Sequence, residues 1–307
     1  MTPILSWAKG FPSGPIRIFV GFTPGSPSDV LARGLADKLS KASGQTCIVD
    51  NKPGAGGLLA VKSLLQAPAD GHSLLVVSAS HAAAPAVTRN LGFDPARDLA
   101  AITRIANVPS LLVVSPKLGV STLQMLLDRL KKEPGALNFS SPGTGSANHF
   151  AAEHLLALVK AKATHIPYRG VPEAASAIVA GDCHFSFIPA PNALALVESG
   201  RLQVLATSTG TRAQAFPSIP TVAEAGVSQY EFDPWFGVLT QAAVPAQALD
   251  RLIAMSIEGL NSPDLRTRFN VIGAEISTLP GNQFDIYIQQ EIAKFRHIAS
   301  EAGIVPT

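Results

Sequence analysis

Short apolar runs alternate with longer amphipathic stretches along almost the whole chain. The apolar runs predict β-strands, and the stretches whose apolar residues recur every three or four positions predict helices. Because strands alternate with helices, we predict an α/β protein whose mainly parallel sheets are flanked by helices. The predicted strands are 16–20, 46–50, 73–78, 101–106, 109–115, 137–140, 164–167, 183–188, 202–208, 235–240 and 274–277. The predicted helices are 28–42, 57–66, 82–88, 121–132, 146–160, 172–180, 191–199, 246–261, 263–270 and 281–302.

The chemistry of one turn repeats in the two halves of the chain. In the first half a strand runs into Thr23-Pro24-Gly25, and in the second half a strand runs into Ser141-Pro142-Gly143. Small hydroxyl residues follow in both places, and a helix begins at once. Such a turn leaves the first N–H groups of the helix unpaired at the positive end of its dipole, which favours an anion. Since ligands of open α/β sheets lie beyond the carboxyl ends of the strands, the two turns predict two lobes that hold one anionic ligand.

Composition narrows the possible functions. The 307 residues are 47% hydrophobic and 15% charged, with a net charge of +2, so the chain is expected to fold into two packed domains. The longest basic run is Lys131-Lys132, which does not indicate a nucleic-acid surface. The segment Met1 to Pro15 lacks the apolar core of a secretory signal, so we expect a cytoplasmic protein or a mature exported one. We expect Cys47 and Cys183 to be buried thiols without a disulfide.

Nucleotide and metal sites are weakly indicated. The segment Gly54 to Gly57 lacks the Gly-Lys-Ser/Thr ending of a P-loop and the spacing of a dinucleotide fingerprint. We interpret it as a tight turn with close helix–strand contact that can still touch a ligand. His149 and His154 are five positions apart, so they do not share a helix face as zinc-binding histidines do. No cofactor and no metal are predicted.

An enzyme remains the alternative hypothesis. It would be a nucleotide-dependent enzyme or a hydrolase that uses Ser146 or Ser80 with His81 or His149, although no Gly-x-Ser-x-Gly motif is present.

Other polar residues at strand ends have simpler interpretations. Ser28 and Asp29 are expected to cap the first helix. Arg169 is either a solvated loop arginine or the partner of a carboxylate. Trp235 and Phe236 are expected to pack in the core or hinge at the point where the chain crosses back to the first lobe, with lining of the cleft as the alternative.

Several stretches, in this order and spacing, resemble the solute-binding proteins of tripartite tricarboxylate transporters, the "Bordetella uptake" group. The resemblance runs from about Pro15 to Pro306. The matching stretches are Ile18 to Arg33, Asn51 to Gly57, Ala67 to Leu75, Phe139 to His149, His165 to Gly170, and Pro217 to Gly226.

The resemblance implies a two-lobed clamshell without catalysis. Its first lobe would comprise residues 1–112 and 235–307, and its second lobe residues 113–234. In similar proteins a ligand carboxylate lies between the two Pro-Gly turns and is held by main-chain N–H groups, hydroxyls and bridging water instead of an arginine. Carried over to this chain, the ligand-binding residues would be Phe22, Thr23, Gly25, Ser26, Ser28, Ser80, His81, Ser140, Ser141, Gly143, Thr144, Ser146, Asn148, Tyr168, Arg169 and Pro189.

The resemblance also implies a periplasmic monomer that carries a small organic carboxylate to the membrane permease of the transporter, with the signal peptide absent from this chain. A ligand sensor for a signalling partner would use the same cleft. The chain departs from the family pattern at Leu58-Leu59-Ala60 and at Ile188 to Pro191, where an acidic residue is usual. We therefore expect the ligand to be a mono- or dicarboxylate with an apolar or aromatic body, in preference to an amino acid.

Overall fold

Two β-sheets organise the chain, and helices cover them. The computed structural model describes residues 10–306, and every predicted strand and helix is present with its ends shifted by a few residues. The strands are β1 Ile16–Val20, β2 Cys47–Asn51, β3 Ser73–Ser78, β4 Leu99–Asn107, β5 Ser110–Val114, β6 Asn138–Ser141, β7 Thr164–Pro167, β8 Phe185–Pro189, β9 Gln203–Thr207, β10 Trp235–Gln241 and β11 Glu275–Pro280. The helices are α1 Pro27–Ser43, α2 Leu58–Leu65, α3 Ser80–Val87, α4 Leu123–Lys132, α5 Ala147–Leu158, α6 Val171–Ala180, α7 Ala190–Glu198, α8 Ala246–Leu260, α9 Pro263–Val271 and α10 Gly281–Glu301.

The two sheets are mixed. The first has the order β11-β4-β10-β3-β1-β2, and the second has the order β7-β6-β8-β5-β9. Strands β1, β2 and β3 are parallel, as are β6, β7 and β8, which confirms the α/β class. Strand β10 is antiparallel to β3 and β4, and β5 is antiparallel to β8 and β9. Strand β11 is antiparallel to β4 as well, so each sheet combines a parallel set of strands with antiparallel ones.

The chain crosses between the sheets twice. Strands up to Asn107 and from Trp235 onward form the first sheet, and strands from Ser110 to Thr207 form the second. All five residues of β5 pair within the second sheet, so the predicted boundary after residue 112 falls inside a strand. The division into two lobes that move as units stays a prediction.

A single apolar cluster joins the two sides. It contains Phe139 of β6 and Trp235 of β10, and helices α5 and α10 meet within it. Phe150 of α5 and Phe295 of α10 form an edge-to-face pair with centroids 4.9 Å apart. Buried aromatic pairs of this kind contribute about 1 kcal/mol beyond their area. This contact connects α10, on the side of the first sheet, to α5, on the side of the second sheet.

The cysteines and Trp235 differ in burial. Cys183 is buried as predicted, whereas Cys47 at the start of β2 is only half-buried, and both are free thiols. Trp235 is fully buried, and its indole N–H donates to Glu291 at 3.0 Å. Its predicted packing role at the crossing is confirmed.

Candidate functional site

The turns that follow the parallel strands of both sheets meet around one cleft. An outer cavity of about 870 Å³ adjoins an inner pocket of about 50 Å³, and Phe22, Ser80 and Val171 are in the walls of both. The predicted ligand-binding residues that line one or both are Phe22, Thr23, Gly25, Ser26, Ser28, Ser80, Gly143, Thr144, Ser146, Asn148, Tyr168, Arg169 and Pro189.

The first turn is capped by Ser26, which lies before the residues predicted for this role. The Ser26 hydroxyl accepts from the N–H of Asp29, and helix α1 begins with Pro27. Ser28 and Asp29 lie inside the first helical turn, so the prediction that they cap the helix was wrong. Proline at the first helical position fixes the start here, because it has the right φ and needs no acceptor.

The carboxylate of Asp29 supports the first turn from behind. It accepts the N–H of Gly25 at 2.9 Å, an amide hydrogen of Asn51 at 3.0 Å, and two bonds from Arg33 at 3.0 and 2.9 Å. Burial acts to raise the pKa of Asp29, but the bonds from Arg33, Gly25 and Asn51 outweigh it and hold the pKa below the usual value. The Asp29 carboxylate holds the Gly25 turn in place. Because it is paired with Arg33, it does not present an uncompensated negative charge to the cleft.

The second turn has the same geometry with different chemistry. The Ser146 hydroxyl accepts from the N–H of His149 at 3.2 Å, as Ser26 accepts from Asp29. The N–H of Gly145 points to Nδ1 of His149 at 3.4 Å, and His149 in turn lies 3.5 Å from Glu153. An imidazole thus stands where the first turn has a carboxylate.

The two turns superpose in a register that differs from the predicted one. Gly25 and Gly145 both have φ of +81°, and each precedes the serine that caps its helix. Gly143, the residue matched to Gly25 from the sequence, has φ of +126° and lies two positions earlier. The repeated Pro-Gly pair in the sequence therefore matched Gly25 with the wrong glycine. The backbone conformation shows that Gly25 corresponds to Gly145.

The second N–H group of the helix at each turn is left without an acceptor. Within residues 10–306, the N–H groups of Ser28 and Asn148 donate to no protein atom, whereas those of Asp29, Ala147 and His149 do. Each is the second residue of its helix, at the positive end of the dipole. Both residues line the inner pocket, so it presents one free donor from each side.

The side chain of Ser80 bridges the cleft. Its hydroxyl oxygen, at the start of α3, accepts the N–H of Ala147, the first residue of α5, at 3.1 Å. Ser80 is buried and lines both the inner pocket and the outer cavity. Val87 at the other end of α3 packs against Gly145, where an added Cβ would lie 2.7 Å from Val87 Cγ2. Helix α3 therefore contacts the second turn at both of its ends.

Two predicted serines lie beneath the second turn, outside the cavity walls. Ser140 is fully buried and donates to the carbonyl of Ala174 at 2.9 Å. Ser141 is fully buried as well, and its hydroxyl lies 3.0 Å from the Gly143 carbonyl and 2.7 Å from Nε2 of His165. Their hydroxyls hold the turn in shape, so the geometry does not support the predicted contact with a ligand.

His81 is the third predicted residue that the structure places elsewhere. It is 5% exposed and faces a cavity of about 20 Å³ beneath the Gly56-Gly57 turn, outside the cleft. Neither ring nitrogen has a hydrogen-bond partner within the described part of the chain. Burial lowers the pKa of His81 to about 4, so the ring is neutral at pH 7.

Tyr168 lines the outer cavity, but its hydroxyl is turned away from it. The phenol oxygen lies 3.7 Å from the sulfur of Cys183. Burial, together with the contact with Cys183, raises the pKa of Tyr168 to about 12. The ring, and not the hydroxyl, is therefore the part of Tyr168 available to the cleft.

A stacked histidine pair supports the second turn. The rings of His149 and His165 lie with centroids 4.0 Å apart, and Phe139 stacks on His165 at 4.9 Å. Burial, with a smaller contribution from His149, lowers the pKa of His165 to about 3. No local pattern predicts this pair, since the two residues are 16 positions apart, on α5 and on β7, and meet only in the folded chain.

The glycine-rich turn also reaches the cleft. A Cβ on Gly21 would lie 2.5 Å from the Cα of Gly57, so the predicted close contact is present. Gly54 and Gly56 have positive φ and line the outer cavity. The cavity residues that the sequence reasoning did not assign are mostly small or apolar: Gly21, Pro24, Pro53, Leu58, Ala84, Val87, Thr88, Pro142, Gly145, Gly170, Val171, Pro172 and Asn192 in the outer cavity, and Pro27, Ser78, Ala79, Val108, Ser110, Ala147 and Pro234 in the inner pocket. The feature of the sequence that could have indicated these residues was their position after the ends of predicted strands.

The arrangement favours binding over acyl transfer. Neither Ser80 nor Ser146 shares a hydrogen bond with an imidazole nitrogen, since Ser80 accepts from Ala147 and Ser146 from the backbone of His149. Ser141 and His165 do pair, but beneath the turn. Residues 10–306 contain no group of three or more His, Cys, Asp or Glu side chains placed to hold a metal ion. They also contain no helix that is both long enough and apolar enough to cross a bilayer.

Comparison with known proteins identifies the family. The sequence model described as "Tripartite tricarboxylate transporter family receptor" matches residues 31–304. The chain is 30% identical over 302 residues to a UPF0065 protein of Cupriavidus necator, covering 98% of this chain and 91% of that protein. It is 30% identical over 298 residues to BugT of Bordetella pertussis, covering 96% and 91%.

Solved structures agree with this relationship. "R. palustris Rpa4515 with adipate" has a TM-score of 0.89 at 30% identity and covers 97% of this chain and 100% of that one. MatC from Rhodopseudomonas palustris with bound malate has a TM-score of 0.85 at 26% identity and covers 94% and 100%. The chain therefore belongs to the family of tripartite tricarboxylate transporter receptors.

Proposed function

We propose that this protein is an extracytoplasmic receptor that closes on a small organic carboxylate and delivers it to a tripartite tricarboxylate-type permease. The observation that carries the proposal is the pair of free N–H groups of Ser28 and Asn148, one from each side, at one inner pocket. A carboxylate has two oxygens and can accept one hydrogen bond from each side at the same time.

The electrostatics of the cleft support an anionic ligand. Helices α1, α5 and α6 all begin at the cleft, and their dipoles direct positive potential into it. No Asp or Glu among the described residues lines the outer cavity or the inner pocket. The inner pocket, at about 50 Å³, has room for a carboxylate but not for a larger headgroup.

Lobe closure would follow from the shared position of the ligand. A carboxylate that accepts from both Ser28 and Asn148 binds fully only when the two sides are close, so it favours the closed arrangement by its differential affinity. The Ser80–Ala147 bond belongs to the same arrangement. On this proposal the chain divides into two lobes, with the moving boundary close to the crossings before Ser110 and Trp235.

The relatives support a carboxylate as the ligand class. Two similar structures carry adipate and malate. We transfer to this chain only the carboxylate group that the two ligands share.

The first experiment is native mass spectrometry of the purified protein, followed by a thermal-shift screen of carboxylic acids. A specific ligand should raise the melting temperature in a concentration-dependent way, since ligand at 100 times its Kd stabilises by about 2.7 kcal/mol. If no carboxylate stabilises the protein, or if a candidate is turned over, the receptor proposal fails.

A matched pair of variants ties the effect to the site. Ser146→Leu removes a helix cap and fills the inner pocket, so it should abolish ligand stabilisation. Thr122→Leu removes the equivalent cap of α4, where Thr122 accepts from Met125, at a distance from the cleft. It should lower the melting temperature by a similar amount and leave ligand stabilisation intact.

A further inference from the structure

Ser110 is a residue of the inner pocket that also lies at the first crossing between the sheets. It begins β5, shortly after β4 ends at Asn107. It is 1% exposed, and it lines the inner pocket together with Asn148. Its hydroxyl oxygen accepts an amide hydrogen of the Asn148 side chain at 3.2 Å. One serine therefore joins the pocket to a segment that connects the two sides of the cleft.

The hydroxyl of Ser110 still has its hydrogen to donate. Within residues 10–306 this hydroxyl is only an acceptor, in the bond from Asn148, and no protein atom accepts its hydrogen. The Asn148 amide group uses both of its hydrogens, because the second one goes to the Phe187 carbonyl at 2.8 Å. A carboxylate that accepts the N–H of Asn148 in this pocket is a suitable acceptor for the Ser110 hydroxyl as well.

Ser208 connects Ser110 to the second crossing. It follows β9 and is fully buried. Its hydroxyl accepts the N–H of Ser110 at 3.2 Å, and its own N–H donates to the Ser110 carbonyl at 2.9 Å. Its carbonyl accepts the N–H of Phe232 at 2.9 Å, in the connection that leads to β10. Ser208 is therefore bonded to residues of both crossings.

The hydrogen bonds form a continuous buried path from the pocket to both crossings, from Asn148 through Ser110 and Ser208 to Phe232. Ser208 lines neither the inner pocket nor the outer cavity, so its effect on a ligand has to pass through Ser110. A buried polar group that loses its partner is costly, so these residues resist moving independently of one another.

We propose that Ser110 couples the ligand to the crossings: its hydroxyl donates to the ligand carboxylate, and its bonds with Asn148 and Ser208 make the arrangement of the crossings depend on the bound ligand. Ser110 is then a ligand-binding residue, and Ser208 is a positioning residue that acts through it. This inference rests on the proposed receptor function and adds to it the residues through which the ligand favours closure.

The test measures affinity by isothermal titration and ligand-induced contraction by small-angle scattering. The proteins are the wild type, Ser110→Ala, Ser208→Ala, the double variant and Ser186→Ala. The probes are acetate, butanoate, benzoate, malate and adipate, and the acid that binds the wild type most tightly is used for the comparison. Ser186 is the matched control, since it is fully buried, donates to the Ser140 carbonyl at 2.7 Å and lines neither cavity. Melting curves without ligand check that each variant is folded.

We expect Ser110→Ala to weaken binding about tenfold, because it removes a hydrogen bond to a charged group. Ser208→Ala should weaken binding about threefold and reduce the contraction, although it removes no ligand contact. The double variant should bind as Ser110→Ala does, because Ser208 acts through the Ser110 hydroxyl and has no further effect once that group is gone. Ser186→Ala should bind and contract as the wild type does.

Three results would overturn the inference and leave the protein a carboxylate receptor. Wild-type affinity in Ser110→Ala would rule out the ligand contact. Equal affinity and contraction in Ser208→Ala and Ser186→Ala would rule out the coupling, and this comparison holds even where Ser110→Ala fails to fold. Losses that simply multiply in the double variant would mean that the two serines act independently. If no acid of the panel binds the wild type, this inference and the receptor proposal both fail.

Discussion

The hydroxyl oxygen of Ser80 accepts a hydrogen bond from the N–H of Ala147 across the cleft, at 3.1 Å. Ser80 begins a helix of the first-sheet side, and Ala147 begins a helix of the second-sheet side. The hydroxyl hydrogen of Ser80 has no acceptor within residues 10–306, and the residue lines the inner pocket. A carboxylate in that pocket could accept this hydrogen, which would link the ligand to both sides through one oxygen atom.

Replacing Ser80 with alanine should weaken ligand binding about tenfold, because a hydrogen bond to a charged group contributes about 1.5–3 kcal/mol. Closure should weaken as well, so ligand should contract the variant less than the wild type in small-angle scattering. Ser63→Ala is the control, since Ser63 is a partly exposed helical serine of the same side that bonds only to the Leu59 carbonyl. Equal affinity in Ser80→Ala and Ser63→Ala would count against the bridging role.

Gly25 and Gly145 should respond differently to the same substitution. Both have φ of +81°, so alanine should cost about 1–2 kcal/mol of unfolding free energy at either position. A Cβ at Gly25 meets nothing within 4 Å, whereas one at Gly145 would lie 2.7 Å from Val87. Overpacking there adds about 1–3 kcal/mol and separates α3 from the second turn. Gly145→Ala should therefore lose more stability and more ligand affinity, as measured by denaturant unfolding and titration.

The contact with Val87 can be tested by rescue. Adding Val87→Ala to Gly145→Ala removes the methyl groups that an added Cβ would meet. The double variant should recover the ligand affinity of Gly25→Ala, apart from the small cost of the lost valine. Failure to recover would mean that backbone strain alone explains the loss at Gly145.

Asp29→Asn should lower the unfolding free energy by about 2–3 kcal/mol, because it leaves Arg33 without its charge partner and weakens the bond from Gly25. The pKa of Asp29 is lowered in the folded protein, so its contribution is present above the unfolded pKa near 3.8 and is lost as pH falls below it. Urea unfolding at neutral and acid pH measures this. Asp264→Asn is the control, because this exposed carboxylate pairs with Lys38 at the surface and its loss should change the unfolding free energy far less.

His81 should make the protein sensitive to mild acid. Its folded pKa is about 4 and its unfolded pKa about 6.5, so the unfolded chain binds the proton first as pH falls. Between pH 7 and pH 5 the wild type should lose about 2 kcal/mol more than His81→Leu, at about 1.4 kcal/mol per pH unit below 6.5. Burial lowers the pKa values of His154 and His165 as well. Both residues are present in the wild type and in the variant, so their contributions cancel in the difference between the two proteins. Parallel pH profiles would show that the ring is not held neutral.

The sequence by itself determined the elements and the kind of turn that builds the site. Strand and helix periodicities are local, and a serine before a helix is a local cap, so Ser26 and Ser146 were recognisable as parts of anion-binding turns. The absence of a lysine or a third glycine in these turns argued against phosphate loops. The family resemblance followed from the same stretches.

Only the tertiary structure decided which groups face the ligand. The burial of Ser140, Ser141 and His81 depends on neighbours far along the chain, such as Ala174 and His165, which pattern and spacing do not encode. The equivalence of Gly25 with Gly145 is set by φ angles, and the repeated Pro-Gly letters pointed to the wrong residue. Non-local contacts also determine the strand direction after each crossing. They likewise produce the hydrogen bond between Ser80 and Ala147 across the cleft. The local sequence of the turns therefore determines that they can bind an anion. Packing between the two sheets determines which of their N–H groups remain free to bind that anion.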